Sequence, residues 1–197
     1  MTKVLINLID QLTKLPGIGR KTAQRIGFFI LKSQIEDVEQ LAKTIIDAKK
    51  KLRFCPTCFN LTDQEICEIC FDNRRDRKVI CIVEDASDIL SIERSGKYTG
   101  VYHVLGGVLS PIDDVGPDNL RIKELVKRLE KDKFIEIIIA TNPTREGEAT
   151  AHYLSKLLKP FNLKVSRSAR GLPIGSDLDL ADETTISEAF EGRKEFE

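Results

Sequence analysis

Four of the five cysteines in this 197-residue chain form two close pairs, Cys55-Pro56-Thr57-Cys58 and Cys67-Glu68-Ile69-Cys70. No other feature constrains the fold as tightly. Each C-x-x-C pair presents two thiolates from one tight turn, and two such knuckles complete a tetrahedral four-sulfur shell suited to Zn2+. Four protein ligands leave no open position for a substrate water, so the expected role is structural. Disulfides are the competing use of the same residues. The start Met1-Thr2-Lys3-Val4-Leu5 soon meets Asn7 and Asp10 and lacks the apolar stretch of a secretory signal. With Cys81 left over, this favours a reducing cytoplasm and a metal over cross-links. Cys81 lies inside an apolar run and reads as a small core residue.

Hydrophobic periodicity differs on the two sides of the cysteines. Val4, Leu5, Leu8, Ile9 and Leu12 recur at helical spacing, so residues 2–14 read as an amphipathic helix. It ends at Leu15-Pro16-Gly17-Ile18-Gly19, and a second helix runs to about Leu31. A third begins near Asp37, with Val38, Leu41, Ile45 and Leu52 on one stripe. Its terminal Lys49-Lys50-Lys51 suits the negative pole of the helix dipole, a structural reason that needs no ligand. Residues 54–71 show little periodicity and read as a small insert rather than a packed unit. From Val79 the pattern alternates: apolar runs at 79–83, 101–105, 134–140 and 163–165, and helices at 86–94, 118–131 and 146–159. Continuous apolar strands between helices indicate a parallel α/β sheet. The expected organisation is residues 1–53, 54–71, 78–170 and 171–197.

Charge separates along the same boundaries. The chain carries 31 Lys and Arg against 31 Asp and Glu, yet residues 1–53 hold a net +6 and residues 79–197 a net −5. A neutral total therefore does not exclude nucleic acid, because fields act over about 10 Å and local patches decide. No apolar run approaches the roughly 20 residues that span a membrane.

The glycine turn Leu15-Pro16-Gly17-Ile18-Gly19-Arg20-Lys21-Thr22 lies in the basic arm. A nucleotide P-loop needs Gly directly before Lys-Ser/Thr and follows a strand. Here Arg20 intervenes and a helix precedes. As a hairpin between two helices, the turn lets Gly17 and Gly19 bring backbone N–H groups to a phosphate. Arg20 stands beside the turn, and Lys21 and Arg25 sit at i and i+4 on one face. Such contacts read backbone rather than bases, so binding is expected to be sequence-independent and salt-sensitive. The simpler alternative is an ordinary helix connection. The stretch resembles the helix-hairpin-helix motif of DNA-repair proteins.

In the acidic half, Glu84 follows the first strand, and Asn142-Pro143-Thr144-Arg145-Glu146-Gly147-Glu148 follows the third. Open parallel sheets place ligand sites at such strand ends. The arrangement resembles a Toprim domain, in which a glutamate and an Asp-x-Asp pair hold magnesium for phosphoryl transfer. Glu84 matches the glutamate, whereas Asn142 and Thr144 occupy the aspartate positions. A magnesium site needs carboxylates, so Mg2+ is expected to bind weakly or not at all. No G-x-S-x-G occurs; Tyr98, Tyr102 and Tyr153 lack a topoisomerase context, and His103 and His152 read as structural or surface residues. The domain reads as a non-catalytic scaffold, not an enzyme; a small Toprim nuclease or topoisomerase is the alternative.

Helix-hairpin-helix, four-cysteine zinc knuckle, Toprim and the final Gly171-Leu172-Pro173-Ile174-Gly175-Ser176-Asp177-Leu178-Asp179, in that order, resemble the RecR family of bacterial recombination mediators from end to end. The resemblance implies gap repair with RecO and RecF, helping to load RecA on single-stranded DNA. It also implies a cytoplasmic, nucleoid-associated, ring-like homotetramer on single- or double-stranded DNA, with N-terminal helices exchanged between subunits. The segment containing Asp177 and Asp179 is expected, on the same ground, to be Walker B-like but to serve subunit contact. Glu84, Glu146 and Glu148 are then either a solvated acidic rim or a docking patch for RecO.

Overall fold

The computed structural model describes residues 1–193 and 195. The last positions of the expected 171–197 segment, 194, 196 and 197, lie outside the described residues. The chain divides into two compact units, one ending at Leu52 and the other starting at Arg53.

The first unit is helical: α1 Lys3–Leu12, α2 Arg20–Lys32 and α3 Ile35–Lys51. Helix α1 starts one residue later and stops two residues earlier than its periodicity suggests. Thr2 caps its first turn by accepting from the Leu5 N–H, and the chain turns at Thr13 toward Pro16-Gly17. Only α1 and α2 pack closely, through Ile9 and Ala23, both fully buried. Gly27 faces α1 with room to spare: a Cβ there would make ordinary contacts, 3.5 Å from Ile9 and 3.6 Å from Leu5. Helix α3 buries no residue and leaves Leu41, Ile45 and Ile46 exposed. Its terminal lysines match the dipole reading, with Lys51 also 3.3 Å from Asp47.

The second unit opens with a small hairpin, β1 Arg53–Phe54 and β2 Leu61–Thr62, followed by the short helix α4 Glu68–Phe71. The expected parallel sheet follows, from β3 Asp76–Val83, β4 Gly100–Val104, β5 Glu136–Ala140 and β6 Lys164–Arg167, in the order β4-β3-β5-β6. All pairs are parallel, joined by α5 Ala86–Arg94, α6 Ile122–Lys131 and α7 Arg145–Leu158. Period-two alternation divides β3, β4 and β5 between two cores. Ile80, Ile82, Ile137 and Ile139 face one core with Leu125, Leu154 and Leu158. Cys81, Val83, Tyr102 and Val104 face the other with Ile89. Both faces are covered, which is why β3 reads as an unbroken apolar run. Cys81 is a core residue, and burial pushes its thiol up to about 12.

Two boundaries differ from the sequence pattern. Strand β3 reaches back to Asp76 through polar residues, with an irregularity in its pairing before Ile80. The expected helix 118–131 is a 3-10 turn, Pro117–Asn119, and then α6 from Ile122. Arg121 breaks it, because its N–H bonds Leu105 O at 2.9 Å and its carbonyl accepts from His103 Nε2 at 2.8 Å.

His103 is fully buried and His152 exposed. With Nε2 donating, His103 Nδ1 is a bare acceptor without a partner. Burial pushes the imidazole down to about 4, opposed by the bond to Arg121 O and assisted by the Arg128 and Arg121 charges. The unfolded chain takes up this proton near 6.5 and the folded one only near 4, so stability is present above 6.5 and falls as pH drops between these values. The loss reaches about 3 kcal/mol at most. Urea midpoints for wild type and His103→Gln should converge across that window; parallel profiles would refute the assignment.

Candidate functional site

Three places carry chemistry. The first is the cysteine cluster, where the Sγ atoms of Cys55, Cys58, Cys67 and Cys70 all lie within 4.8 Å of one another and are buried. Each pair closes its own turn: Phe59 N–H bonds Cys55 O at 2.9 Å, and Phe71 N–H bonds Cys67 O at 3.0 Å. Hydrogen bonds from Cys58 and Cys70 hold the Cys67 thiol low, while Cys67, Cys70 and burial push the Cys58 thiol up. A dication that takes four thiolates satisfies the whole set, and this all-sulfur, closed donor shell fits a structural zinc.

The knuckle is not a free insert. Val104 N–H at the end of β4 bonds Cys58 O at 2.8 Å, and Arg77 Nη2 on β3 bonds Cys70 O at 3.0 Å. The Phe59 ring meets His103 edge-on with centroids 5.5 Å apart. The Arg121 guanidinium lies over Phe54 and Phe59, 4.1 and 4.9 Å from their centroids. The expectation of an insert rather than a packed unit is therefore corrected. The ligands are local in sequence, but the clamps come from outside the knuckle, Arg77 seven residues beyond Cys70 and Val104, His103 and Arg121 tens of positions away, which periodicity does not reveal.

The second place is the glycine hairpin. Gly17 takes φ +78°, where a side chain would be strained, and Gly19 is the N-cap of α2 without a side-chain cap. The first N–H groups of α2 are therefore left for an outside acceptor. Arg20 is 3.6 Å from Asp10, with both side chains well exposed, which makes a weak pair. Lys21 and Arg25 line one shallow groove with Gln24, Phe28, Phe29 and Lys32. Phe29 and Lys32 escaped notice in the sequence, although the i, i+4, i+8, i+11 spacing from Lys21 places them on this face.

The third place is the carboxyl end of the sheet. The chain reverses its direction of strand addition between β3 and β5, so their ends form a topological switch point. Glu84 and Asn142 meet there. The Asn142 backbone N–H bonds Glu84 Oε1 at 2.7 Å and its Nδ2 bonds Oε2 at 2.7 Å. Thr144, at the other aspartate position, caps α7 by accepting from the Gly147 N–H at 3.0 Å. Both positions thus make intramolecular bonds where a metal site would place charge. Among the described residues, the four cysteines are the only group of three or more His, Cys, Asp or Glu that converges for a metal. The donor set at Glu84 does not fit magnesium.

Glu148 also departs from the acidic-rim expectation. Arg167 donates to it through both Nη atoms, at 2.7 and 2.5 Å, and Arg170 lies 3.2 Å away. Arg170 continues to Glu188, 3.0 Å away on α8 Glu183–Glu191. Glu148 is consequently neutralised as the hub between α7, β6 and the C-terminal helix, while Glu146 is half-buried in the first turn of α7. Tyr98 and Tyr102 hydroxyls are committed to Val101 O at 2.7 Å and Glu93 at 2.6 Å, and burial pushes both phenols up. Asp177 and Asp179 are exposed and flank or occupy a 3-10 turn, Leu178–Leu180, not the end of a strand.

Four family descriptions match the chain in order. They are the RecR helix-hairpin-helix over 5–49, the RecR four-cysteine zinc finger domain over 52–70, the Toprim domain over 78–169 and the RecR C-terminal segment over 171–194. The chain is 54% identical over 191 residues to a protein of Streptomyces coelicolor named Recombination protein RecR, covering 97% of this chain and 96% of that one. Proteins of the same name from Streptomyces avermitilis and Thermobifida fusca are each 53% identical, over 191 and 188 residues. The Streptomyces avermitilis match covers 97% of this chain and 96% of the relative, and the Thermobifida fusca match 95% and 94%. Hairpin, zinc knuckle, sheet and C-terminal segment in one continuous match place this chain in the RecR family of recombination proteins.

Proposed function

We propose that this protein is a non-catalytic DNA-binding mediator of recombinational gap repair. The observation that carries this reading is the α2 face, where Lys21, Arg25 and Lys32 make no ion pair among the described residues beside a glycine turn with free N–H groups. A helix start with adjacent cations is a phosphate site that reads no bases. In this reading Gly17, Gly19, Arg20, Lys21 and Arg25 contact the backbone of single- or double-stranded DNA. The four cysteines hold a structural Zn2+, and Mg2+ has no role. The protein acts in the bacterial cytoplasm with RecO and RecF to help load RecA. Glu84 and Glu146 belong to the docking rim for RecO, with Glu148 holding that rim in place.

Assembly into a ring-like homotetramer belongs to the same reading. Helix α3 exposes Leu41, Ile45 and Ile46, and the C-terminal segment exposes Ile174, Leu178 and Leu180. Clustered exposed apolar side chains of this kind are suited to cover by further copies. The expected division of labour is DNA contact and assembly for 1–53, zinc for 54–71, a Toprim scaffold for 78–170 and subunit contact for 171–197. Asp177 and Asp179 then serve contact rather than nucleotide hydrolysis.

Lys21→Ala and Arg25→Ala should each weaken DNA binding several-fold and reduce the slope of log K against log salt by about one contact. Fluorescence anisotropy over a salt series measures both. Unchanged affinity and slope in both variants would remove the hairpin as the contact. Cleavage or relaxation of DNA with magnesium or manganese, lost in Glu84→Gln, would instead establish a Toprim enzyme.

A further inference from the structure

The groove on α2 contains more than phosphate contacts require. On this open helix face Lys21, Arg25 and Lys32 stand with two phenylalanines. Phe29 is 71% exposed and Phe28 49% exposed. The sequence of α2 has no acidic residue, Arg20 through Lys32. At 1.5 Å per residue, Lys21 and Arg25 are about 6 Å apart along the axis and Lys21 and Lys32 about 16 Å. The cations therefore bracket the rings along one helix face. A cationic track with aromatic faces set into it is how proteins hold unpaired nucleotides, because every base has a face to stack. In a duplex those faces are already stacked on their neighbours, so the rings gain nothing there.

We propose that this face of α2 holds unpaired nucleotides of single-stranded DNA, with the Phe29 ring stacked on a base between phosphates held by Lys21, Arg25 and Lys32. The proposal rests on reading the hairpin as a DNA contact and adds a strand preference to it. Charge favours DNA over another copy as occupant: a two-fold contact of this face with itself would set three cations against three.

The chain has no tryptophan, so Phe29→Trp places a single reporter in the groove. Its emission should be quenched by oligo-dT and not by an abasic oligomer of equal length. Phe29→Leu should weaken oligo-dT binding about tenfold while leaving duplex and abasic binding and the salt slope unchanged. Its mass in solution should equal that of wild type. Equal losses on all three ligands, no loss on oligo-dT, or a changed mass would each overturn the proposal. The last outcome would assign the ring to a subunit interface. If Lys21→Ala and Arg25→Ala weaken all DNA binding but Phe29→Leu weakens none, stacking fails and the phosphate contact stands. If none of the three changes binding, the hairpin reading itself fails.

Discussion

Replacing Cys67 with serine is expected to weaken zinc binding severely and to lower the stability of the unit beginning at Arg53 by about 4 kcal/mol or more. Structural zinc contributes its binding free energy to folding, about 10–16 kcal/mol in isolated fingers, and three thiolates retain only part of it. The effect should not stay within the knuckle. Cys58 O holds the Val104 N–H, Cys70 O holds Arg77, and Phe59 covers His103. Losing the metal frees these clamps and exposes the end of β4, where His103 would lose its cover. Zinc content by elemental analysis, urea unfolding and amide exchange at Tyr102–Val104 test this together. Exchange confined to residues 55–70, or full zinc occupancy in the variant, would contradict it.

The second large effect concerns a glycine whose substitution should have the opposite sign from the usual one. Alanine for glycine inside a helix ordinarily stabilises by about 1 kcal/mol. Gly147 lies in the first turn of α7, but a Cβ there would come within 2.1 Å of Asn142 O and 2.8 Å of Glu84 Oε1. Backbone carbonyls do not yield cheaply, so Gly147→Ala should destabilise by about 3 kcal/mol. It should also pull Asn142 away from Glu84, since the loop must move to make room. Gly27→Ala is the control: its Cβ would meet only side chains at 3.5–3.9 Å, and it should stabilise α2 against α1. Calorimetric midpoints of the two variants should move in opposite directions. A neutral or stabilising Gly147→Ala would mean the switch point is looser than described.

These two cases show where sequence reasoning succeeds and where it stops. The zinc ligands are legible because all four arise from two short turns, and local spacing determines whether sulfurs can converge. The parallel sheet is legible because strands buried on both faces need unbroken apolar runs, as in Ile80 to Val83. The break at Arg121 is not legible, because it depends on hydrogen bonds to Leu105 and His103. Glu148 illustrates the same limit. As a letter it is one acid in an acidic segment; in the fold it lies between Arg167 and Arg170 and is spent internally.

The basic arm and the four thiolates followed from composition and spacing along the chain, and the missing Asp-x-Asp charges from its resemblance to a Toprim domain. The partners of those groups came only with tertiary structure. Glu84 takes the Asn142 amide in place of a metal, and the knuckle is clamped to β3 and β4. Local chemistry states which group is present. Its occupation depends on segments that only packing of the whole unit brings together.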